Sequence, residues 1–292
     1  MPLNSTIKSG KVVSMVERTA AVVEHYGRDD LRERLSSALR TAGLSGQVLS
    51  PMILAPLDQF HVRGLAATKE LAEAARVGPG AMVLDVGSGL GGPSRYLAAT
   101  YGCHVTGIDL NASFVEAATY LAERAGFVDQ VAYECADALA LPYDDGRFDI
   151  AWTQHVAMNI EDRARLYGEV KRVLRPGGRF AVYDVVVGSG EALHFPVPWA
   201  RNPKTNFLLT PDAMRTVLEQ TGFRIVSWLD RTENGIGWFD EQRNAQATPG
   251  VLPGVLGLHI AMGPDFSSMS ANLGRNLRER RIGLIQAVLE KP

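Results

Sequence analysis

The chain has 292 residues, of which 46% are hydrophobic, and a formal net charge of −2. This length fits one large α/β domain or a core domain with an added cap, and the charge excludes strong global attraction to nucleic acid or an anionic membrane. Cys103 and Cys135 form no C-x-x-C pair, so they indicate a reducing compartment rather than a zinc site. The N-terminal sequence MPLNSTIKSGK has no signal-peptide core, and no apolar run reaches the ~18 residues of a membrane span. We therefore expect a soluble, cytoplasmic protein.

The hydrophobic pattern changes near residue 66. Residues 1–65 have a helical and irregular pattern, which predicts an N-terminal helical segment or lid. From residue 66 onward, strand and helix patterns alternate, beginning with a helix at LAATKELAEAA and a continuous apolar strand at AMVLDVG. Continuous apolar runs are typical of parallel strands that are buried on both faces. The alternation predicts right-handed crossovers and a parallel sheet covered by helices.

Turn and cap residues divide this region into elements. Gly92 with Pro93, Asn111, and Thr210 with Pro211 each predict a helix start, and RPGG at 175–178 predicts a sharp break before the fifth strand. The segments 188–209 and 231–280 are too long for plain connections, so we expect them to form a cap over a site. The predicted strands are AMVLDVG, CHVTGID, VAYECAD, RFDIAWT, RFAVYDVVV, FRIVSWL and IGLIQAVLE.

The stretch VLDVGSGLGGPSRYLA, residues 83–98, contains a glycine-rich loop after the first strand. Gly87, Gly89 and Gly92 have the G-x-G-x-x-G spacing of a dinucleotide-binding loop. In open parallel sheets, ligands bind beside the first strand at the carboxyl ends of the strands. Asp109, at the end of the second strand, is suited to accept hydrogen bonds from ribose hydroxyls. These features alone fit NAD or another adenosine cofactor.

Two carboxylates discriminate between the cofactor classes. Asp85 falls where a pyrophosphate would lie, so its charge would repel that anion and favour a ligand with an ammonium or sulfonium group. Asp137, at the end of the third strand, is suited to accept a hydrogen bond from an adenine amine. Both residues favour a cationic adenosine cofactor over NAD.

Four motifs in order, VLDVGSGLGGPSRYLA, GIDLN, ADALALPYDDGRFDIAWTQHV and LRPGGRFAVYDVV, resemble class I S-adenosylmethionine-dependent methyltransferases over roughly residues 70–230. The resemblance implies an α/β, Rossmann-like, seven-stranded, mostly parallel sheet with an antiparallel last strand and helices on both faces. It assigns the methyltransferase domain to residues 66–292, with the helical N-terminal segment and the cap added to it. It implies S-adenosyl-L-methionine as donor and S-adenosyl-L-homocysteine as product.

The resemblance also implies the residues of the donor site. Carried over by position, Asp85 and the glycines hold the methionine part, Asp109 holds the ribose, and Asp137 with Ala138 holds the adenine. Gln154 lies near the donor methyl group. The full predicted set is Asp85, Gly87, Gly89, Gly91, Asp109, Leu110, Asp137, Ala138 and Gln154.

The acceptor is expected to be a small-molecule metabolite that is methylated on nitrogen, oxygen or carbon. DQFHVRGLAATKELAE, GGPSRYLA and MGPDFSSMSANLGRNLRERRIGLIQAV are similar to methyltransferases of the sarcosine/dimethylglycine and ubiquinone/tocopherol type. His155 and Asp184 are the candidate catalytic residues, with His155 as general base and Asp184 orienting it. The candidate substrate-binding residues are His61, Asn159, Trp199 and Phe207.

Structural interpretations of these residues stay open at this stage. His155 also fits a helix-cap or loop histidine, and His61 a packing residue. Asp184 also fits a structural hydrogen-bond acceptor, Asn159 a helix N-cap, and Trp199 with Phe207 either lid core or a cage for a cation. The arginines at 275, 278, 280 and 281 fit a solvated helix face or a site for an anionic group. An NAD(P)-dependent oxidoreductase and a non-catalytic cofactor-binding protein are the alternative functions. No metal site is expected, and a homodimer is compatible with the sequence.

Overall fold

The computed structural model describes residues 30–246 and 256–292. The predictions for residues 1–29 and for 247–255 within the cap lie outside the described residues. No helix in the described ranges is long and apolar enough to span a bilayer.

The described elements follow the predicted alternation of strands and helices. The helices are α1 (Leu31–Thr41), α2 (Pro51–Asp58), α3 (Gly64–Ala75), α4 (Gly92–Tyr101), α5 (Ala112–Ala125), α6 (Arg163–Val173), α7 (Pro211–Gln220), α8 (Thr232–Gln246), α9 (His259–Met262) and α10 (Phe266–Arg278). The strands are β1 (Met82–Val86), β2 (His104–Asp109), β3 (Val131–Cys135), β4 (Phe148–Gln154), β5 (Leu174–Val187), β6 (Arg224–Asp230) and β7 (Ile282–Glu290).

The seven strands form one sheet in the order β3-β2-β1-β4-β5-β7-β6. Strands β1 to β5 pair in parallel, and β7 is antiparallel to both of its neighbours, β5 and β6. The predicted fold class is confirmed, including the reversed last strand. The order reverses at β1, so the carboxyl ends of β1 and β4 border the crevice where ligands bind in such sheets.

The predicted helix starts are confirmed where the side chain provides the cap. Asn111 accepts a hydrogen bond from the Ser113 N–H, and Thr210 accepts one from the Ala213 N–H. These caps fix where α5 and α7 begin relative to the strands before them.

The fifth strand begins earlier than predicted. Leu174 already pairs with Phe148, before the RPGG turn, and the pairing resumes between Ile150 and Arg179 after a shift in register. The prediction of a strand from 179 missed this first pair, because the proline and glycines indicated a break instead of an irregular strand.

Apolar side chains cover both faces of the sheet, and a third cluster joins the N-terminal helices to the domain. That cluster packs Leu35 of α1 and Leu54 of α2 against Phe114 of α5, Leu90 of the glycine-rich loop and Ile260 of α9. The N-terminal segment therefore packs directly on the loop that follows β1.

The arginine cluster near the end of α10 forms ion pairs with nearby carboxylates. Arg275 pairs with Glu279, Arg278 with Asp240, and Arg280 with Glu233. Arg281 pairs with Glu191 and Glu279. These contacts favour the solvated ion-pair interpretation over an anion site.

Candidate active site

The glycine-rich loop leaves β1 in a tight turn held by backbone hydrogen bonds. The N–H groups of Gly87 and Ser88 both donate to the Ile108 carbonyl, at 2.8 Å each. Gly87, Gly89 and Gly91 all have positive φ, at 73°, 53° and 72°. Residues other than glycine rarely adopt this conformation, so the glycine spacing is a backbone requirement.

Two of these glycines differ in what a side chain would meet. A Cβ at Gly91 would lie 2.0 Å from the Tyr133 hydroxyl of β3, so packing within the protein requires glycine there. Of the residues that the structure describes, a Cβ at Gly89 would meet only the edge of Phe60, at 3.7 Å. Gly89 is therefore the position where the loop backbone is open to a ligand.

Asp85 is 2% exposed and accepts a hydrogen bond from the Ser94 hydroxyl at 2.6 Å. Burial raises the pKa of Asp85 to about 7, and the charge of Asp109 adds to this, while the Ser94 hydrogen bond opposes it. None of the ion pairs between described residues includes Asp85 or Asp109. Two carboxylates without a protein cation at one loop favour a cationic ligand.

Asp109 links the end of β2 to the glycine-rich loop. Its Oδ2 accepts from the Gly89 N–H at 3.0 Å, and its Oδ1 accepts from the Asn111 N–H at 2.9 Å. Burial raises the pKa of Asp109 against these hydrogen bonds. Each carboxylate oxygen keeps a lone pair for a further donor. Leu110 follows directly and is partly exposed.

Asp137 lies in the turn after β3. Its Oδ1 accepts from the Leu139 N–H at 2.9 Å, which orders the turn, and Ala138 is partly exposed beside it. This geometry leaves Asp137 at the same edge of the sheet as Asp85 and Asp109, because these strands are parallel neighbours.

In the part of the chain that the structure describes, four buried polar atoms near the glycine-rich loop and the end of β4 have no hydrogen-bond partner. They are Ser88 Oγ, Asn111 Nδ2, Gln59 Nε2 and Gln154 Nε2. Buried polar groups are normally paired, so a set of unpaired ones beside an open glycine and two carboxylates fits a polar, cationic ligand. The residues present therefore fit a donor with adenosine, ammonium and sulfonium groups.

Gln154 ends β4 and joins a polar network behind the loop. Its Oε1 accepts from the Trp152 Nε1–H at 3.0 Å and lies 3.2 Å from the Thr68 hydroxyl. The same hydroxyl lies 2.8 Å from Gln59 Oε1 and 3.1 Å from His61 Nε2. Thr68 thus connects the segment before α3 to the end of β4.

His155 follows Gln154 with a φ of 54°, unusual for a residue with a side chain. Its N–H donates to the Tyr183 carbonyl at 2.8 Å, and its ring stacks on the Tyr183 ring with centroids 5.3 Å apart. Its Nε2 is buried and has no hydrogen-bond partner among the described residues. Burial, followed by the neighbouring His61, lowers the pKa of His155 well below its ordinary value, so the ring is neutral at pH 7.

Asp184 is not brought together with His155. Neighbouring residues of a strand point to opposite faces, and Tyr183 occupies the face of His155. Asp184 instead accepts from the Val185 N–H at 2.9 Å and pairs with Arg163 at 3.7 Å. Burial raises the pKa of Asp184 to about 6, against the lowering effect of Arg163. These contacts match the structural interpretation of Asp184.

His61 completes an aromatic cluster with His155 and Tyr183, at centroid distances of 6.1 and 6.0 Å. Its Nε2 lies 2.9 Å from the Gly64 carbonyl, which can only accept, so Nε2 carries the proton. Burial lowers the pKa of His61 to about 4, with a smaller contribution from Arg63. Two neutral imidazoles therefore lie next to the end of β4.

Comparisons with known proteins bear on this site. Residues 84–182, from β1 into β5, match the methyltransferase domain family. The matched residues make up about a third of the chain. The resemblance inferred from the four motifs is confirmed, and the domain match disfavours the oxidoreductase alternative.

Curated relatives of the chain are named as methyltransferases, and the chain matches part of each. Methyltransferase GfsG of Streptomyces halstedii is 38% identical over 131 residues, which cover 45% of this chain and 47% of that protein. Sarcosine/dimethylglycine N-methyltransferase of Halorhodospira halochloris is 35% identical over 159 residues, covering 54% of this chain and 56% of that protein. The chain thus spans about half the length of these two curated relatives.

A solved structure is similar to the chain well beyond residues 84–182. The crystal structure of the [4+2]-cyclase SpnF has a TM-score of 0.66 and 25% identity, and the match covers 94% of this chain and 97% of that one. The likeness therefore extends over nearly the whole chain.

The remaining predicted substrate residues of the methyltransferase domain have structural contacts. Asn159 ends a 3-10 turn, Ala157–Asn159, and the N-cap of α6 is Asp162, so the N-cap interpretation of Asn159 is wrong. Trp199 is 2% exposed and donates to Asn206 Oδ1 at 2.7 Å, as expected of a lid core residue. The Phe207 N–H donates to the Met158 carbonyl, which ties the first cap segment to the 3-10 turn.

Four contributors to the methyltransferase domain's site were not identified from the sequence. Ser94 donates a hydrogen bond to Asp85, and Tyr183 stacks on His155. The Thr68 hydroxyl lies between Gln59 and Gln154. Arg95 donates to the Leu90 carbonyl of the glycine-rich loop. Ser94 lies within the motif VLDVGSGLGGPSRYLA, and its position in the first turn of α4, next to the end of β1, could have indicated a contact with Asp85. The others depend on long-range contacts that no local pattern shows.

Proposed function

We propose that the protein transfers a methyl group from S-adenosyl-L-methionine to a small-molecule acceptor. The observation that carries the proposal is the buried Asp85 and the partly buried Asp109 beside the open backbone of Gly89, where no described residue forms an ion pair with either carboxylate. The donor, when bound, supplies a methyl group already activated by its sulfonium charge. The motif resemblance and the relatives' names support the same chemistry.

The protein's own contribution to this reaction is alignment, exclusion of water and, for a protic acceptor, removal of a proton. Asp85 and Asp109 would hold the donor's cationic and ribose groups, with Asp137 and Ala138 at the adenine and Gln154 near the methyl group. The neutral imidazoles of His61 and His155 are the bases closest to the end of β4. His155 is the base that the sequence predicted, and Asp184 supports the neighbouring 3-10 turn from the other face.

We also propose that the two cap segments enclose the acceptor. Pro198 of the first segment and Trp238 of the second line one cavity together with Phe60. Enclosure by these segments would keep water from the reacting groups. A cytoplasmic location and a small-molecule partner are part of this proposal.

A second candidate is a [4+2] cyclisation within a bound small molecule, because the [4+2]-cyclase SpnF is similar over nearly the whole chain. The two functions differ in the mass of the product. Incubation of the protein and a methyl-labelled donor with an extract of small metabolites would give a labelled product heavier by one CH₂ under the methyltransferase proposal. A product of unchanged mass, formed without use of the donor, would instead support the cyclase.

A further inference from the structure

A cavity of about 50 Å³ lies between the segment that follows α2 and the second cap segment. It is smaller than the several hundred cubic ångströms of a typical ligand pocket, so this conformation admits one end of a molecule. Among the described residues that line it, none carries a charge at pH 7. The lining includes Phe60, His61, Trp238, Phe239, Ser270 and Leu273.

The cavity adjoins the glycine-rich loop through Phe60. One edge of the Phe60 ring faces the open position at Gly89, and the same residue lines the cavity. The Phe60 ring therefore contributes to both the cavity and the proposed donor site. An acceptor bound in the cavity would lie directly beside that site.

His61 is the polar ring in this lining. Its Nε2–H donates to the Gly64 carbonyl. In the neutral ring the unprotonated nitrogen, which can accept a hydrogen bond, is therefore Nδ1. No hydrogen bond to Nδ1 occurs among the described residues. Because the pKa of His61 is lowered to about 4, this nitrogen is an unprotonated acceptor throughout the neutral range.

We propose that the methyl acceptor is an uncharged, apolar small molecule whose hydroxyl group donates to Nδ1 of His61. The inference rests on the proposed function and assigns the acceptor contact, within the histidine pair, to His61. His155 is less suited to it, because its Nε2 is enclosed and it is not among the residues that line the cavity. The aromatic lining would bury the apolar part of the molecule.

In the transfer, the acceptor O–H bond breaks and its proton passes to His61 Nδ1. The oxygen uses its electron pair to form the bond to the methyl carbon, while the carbon–sulfur bonding pair stays on the donor sulfur. The imidazolium so formed keeps its Nε2–H bond to Gly64 and later releases the Nδ1 proton to water. His61 is neutral before and after each turnover.

The test uses small probes and the donor-free protein. The affinities of 4-methylphenol, 4-methylanisole and phenyltrimethylammonium would be measured by ligand-observed NMR for wild type, His61→Gln and His61→Asn. Gln can keep the donation to Gly64 but offers nothing at the Nδ1 position, whereas Asn places a polar group there. Wild type should prefer the phenol over its methyl ether by about three- to tenfold.

His61→Gln should abolish this preference, and His61→Asn should retain part of it. An equal preference in wild type and His61→Gln, or tighter binding of the cationic probe than of the phenol, would overturn the inference. Ser270→Trp, which fills the cavity from α10, should weaken both neutral probes. Unchanged probe binding in this variant would place the acceptor elsewhere.

Donor titration of the same samples separates this inference from the proposed function. If S-adenosyl-L-methionine binds and the phenol preference does not depend on His61, the acceptor assignment alone fails. If the protein does not bind S-adenosyl-L-methionine, the proposed function fails whatever the probes show. ¹⁵N spectra of the histidine rings would show whether Nδ1 of His61 is the nitrogen that the phenol perturbs.

Discussion

Asp109 joins two parts of the donor site, since its oxygens accept from the N–H groups of Gly89 and Asn111. We expect it to accept charge-assisted hydrogen bonds from both ribose hydroxyls with its remaining lone pairs. Asp109→Ala should then weaken donor binding by about 1.5–3 kcal/mol. Asp109→Asn is the matched control, because it keeps the shape and one acceptor oxygen and should lose less. If a folded Asp109→Ala variant bound the donor with wild-type affinity in calorimetry, Asp109 would not be part of the donor site.

The histidine pair gives a second prediction at the residue scale. If His61 receives the acceptor proton, His61→Gln should lower single-turnover methyl transfer by about 10²–10⁴-fold. His155→Asn should lower it less, since asparagine tolerates the positive φ at this position and the neighbouring base is retained. A larger loss of methyl-transfer rate in His155→Asn than in His61→Gln would show that His155 is the base. Donor affinity, measured in parallel, should be nearly unchanged in both variants.

Among the elements, α2 and α4 meet through a buried ion pair below the glycine-rich loop. Arg95 Nη2 donates to Asp58 Oδ2 and to the Leu90 carbonyl, both at 2.7 Å, and both side chains are almost fully buried. A Cβ at Gly92 would lie 2.5 Å from Asp58 Oδ1. The N-terminal segment thus holds the loop by charge as well as by apolar packing.

Removal of one member of this pair should be costly. Asp58→Ala leaves the Arg95 guanidinium buried without its carboxylate, so the free energy of unfolding should fall by about 3–5 kcal/mol. Arg32→Ala is the matched control, because its ion pair with Glu116 is exposed and should contribute under ~1 kcal/mol. Urea denaturation of the three proteins measures both effects. Equal losses in the two variants would contradict the structural role of the buried pair.

The elements differ in how well the sequence predicted them. Strands β1, β2 and β4 and helices α5 and α7 follow from apolar runs and caps, which are local properties of the chain. The start of β5 was missed because it depends on pairing with Phe148, which lies far away in sequence. The carboxylates at Asp85 and Asp109 were found from their position after strands. The stacking of Tyr183 on His155 was not found from the sequence, because the direction of a side chain on β5 depends on the register of that strand in the sheet.

For the whole molecule, Asp85 predicts a pH dependence of stability. Burial raises its pKa from 3.8 to about 7, so between these values the folded protein binds more protons at this group than the unfolded chain does. Its contribution to stability is therefore complete below pH 3.8 and declines as the pH rises toward 7. The loss in the free energy of unfolding is about 4 kcal/mol, because each unit of pKa difference between the folded and unfolded states corresponds to about 1.36 kcal/mol.

Asp85→Asn does not titrate and keeps an acceptor for Ser94, so it should gain stability relative to wild type between pH 5 and pH 8. Urea denaturation of both proteins at the two pH values, without ligand, measures this difference. A constant difference in the free energy of unfolding between variant and wild type would show that Asp85 is ionised throughout.

The proposed function depends on the binding of a cationic methyl donor by Asp85 and Asp109. Calorimetric titration of the wild-type protein with S-adenosyl-L-methionine and with NADH, and of Asp85→Asn with the methyl donor, measures this binding. We expect wild type to bind S-adenosyl-L-methionine and not NADH, and Asp85→Asn to bind the donor more weakly because the attraction to its charge is lost. Tight binding of NADH without binding of S-adenosyl-L-methionine would show that the two carboxylates do not form a methyl-donor site.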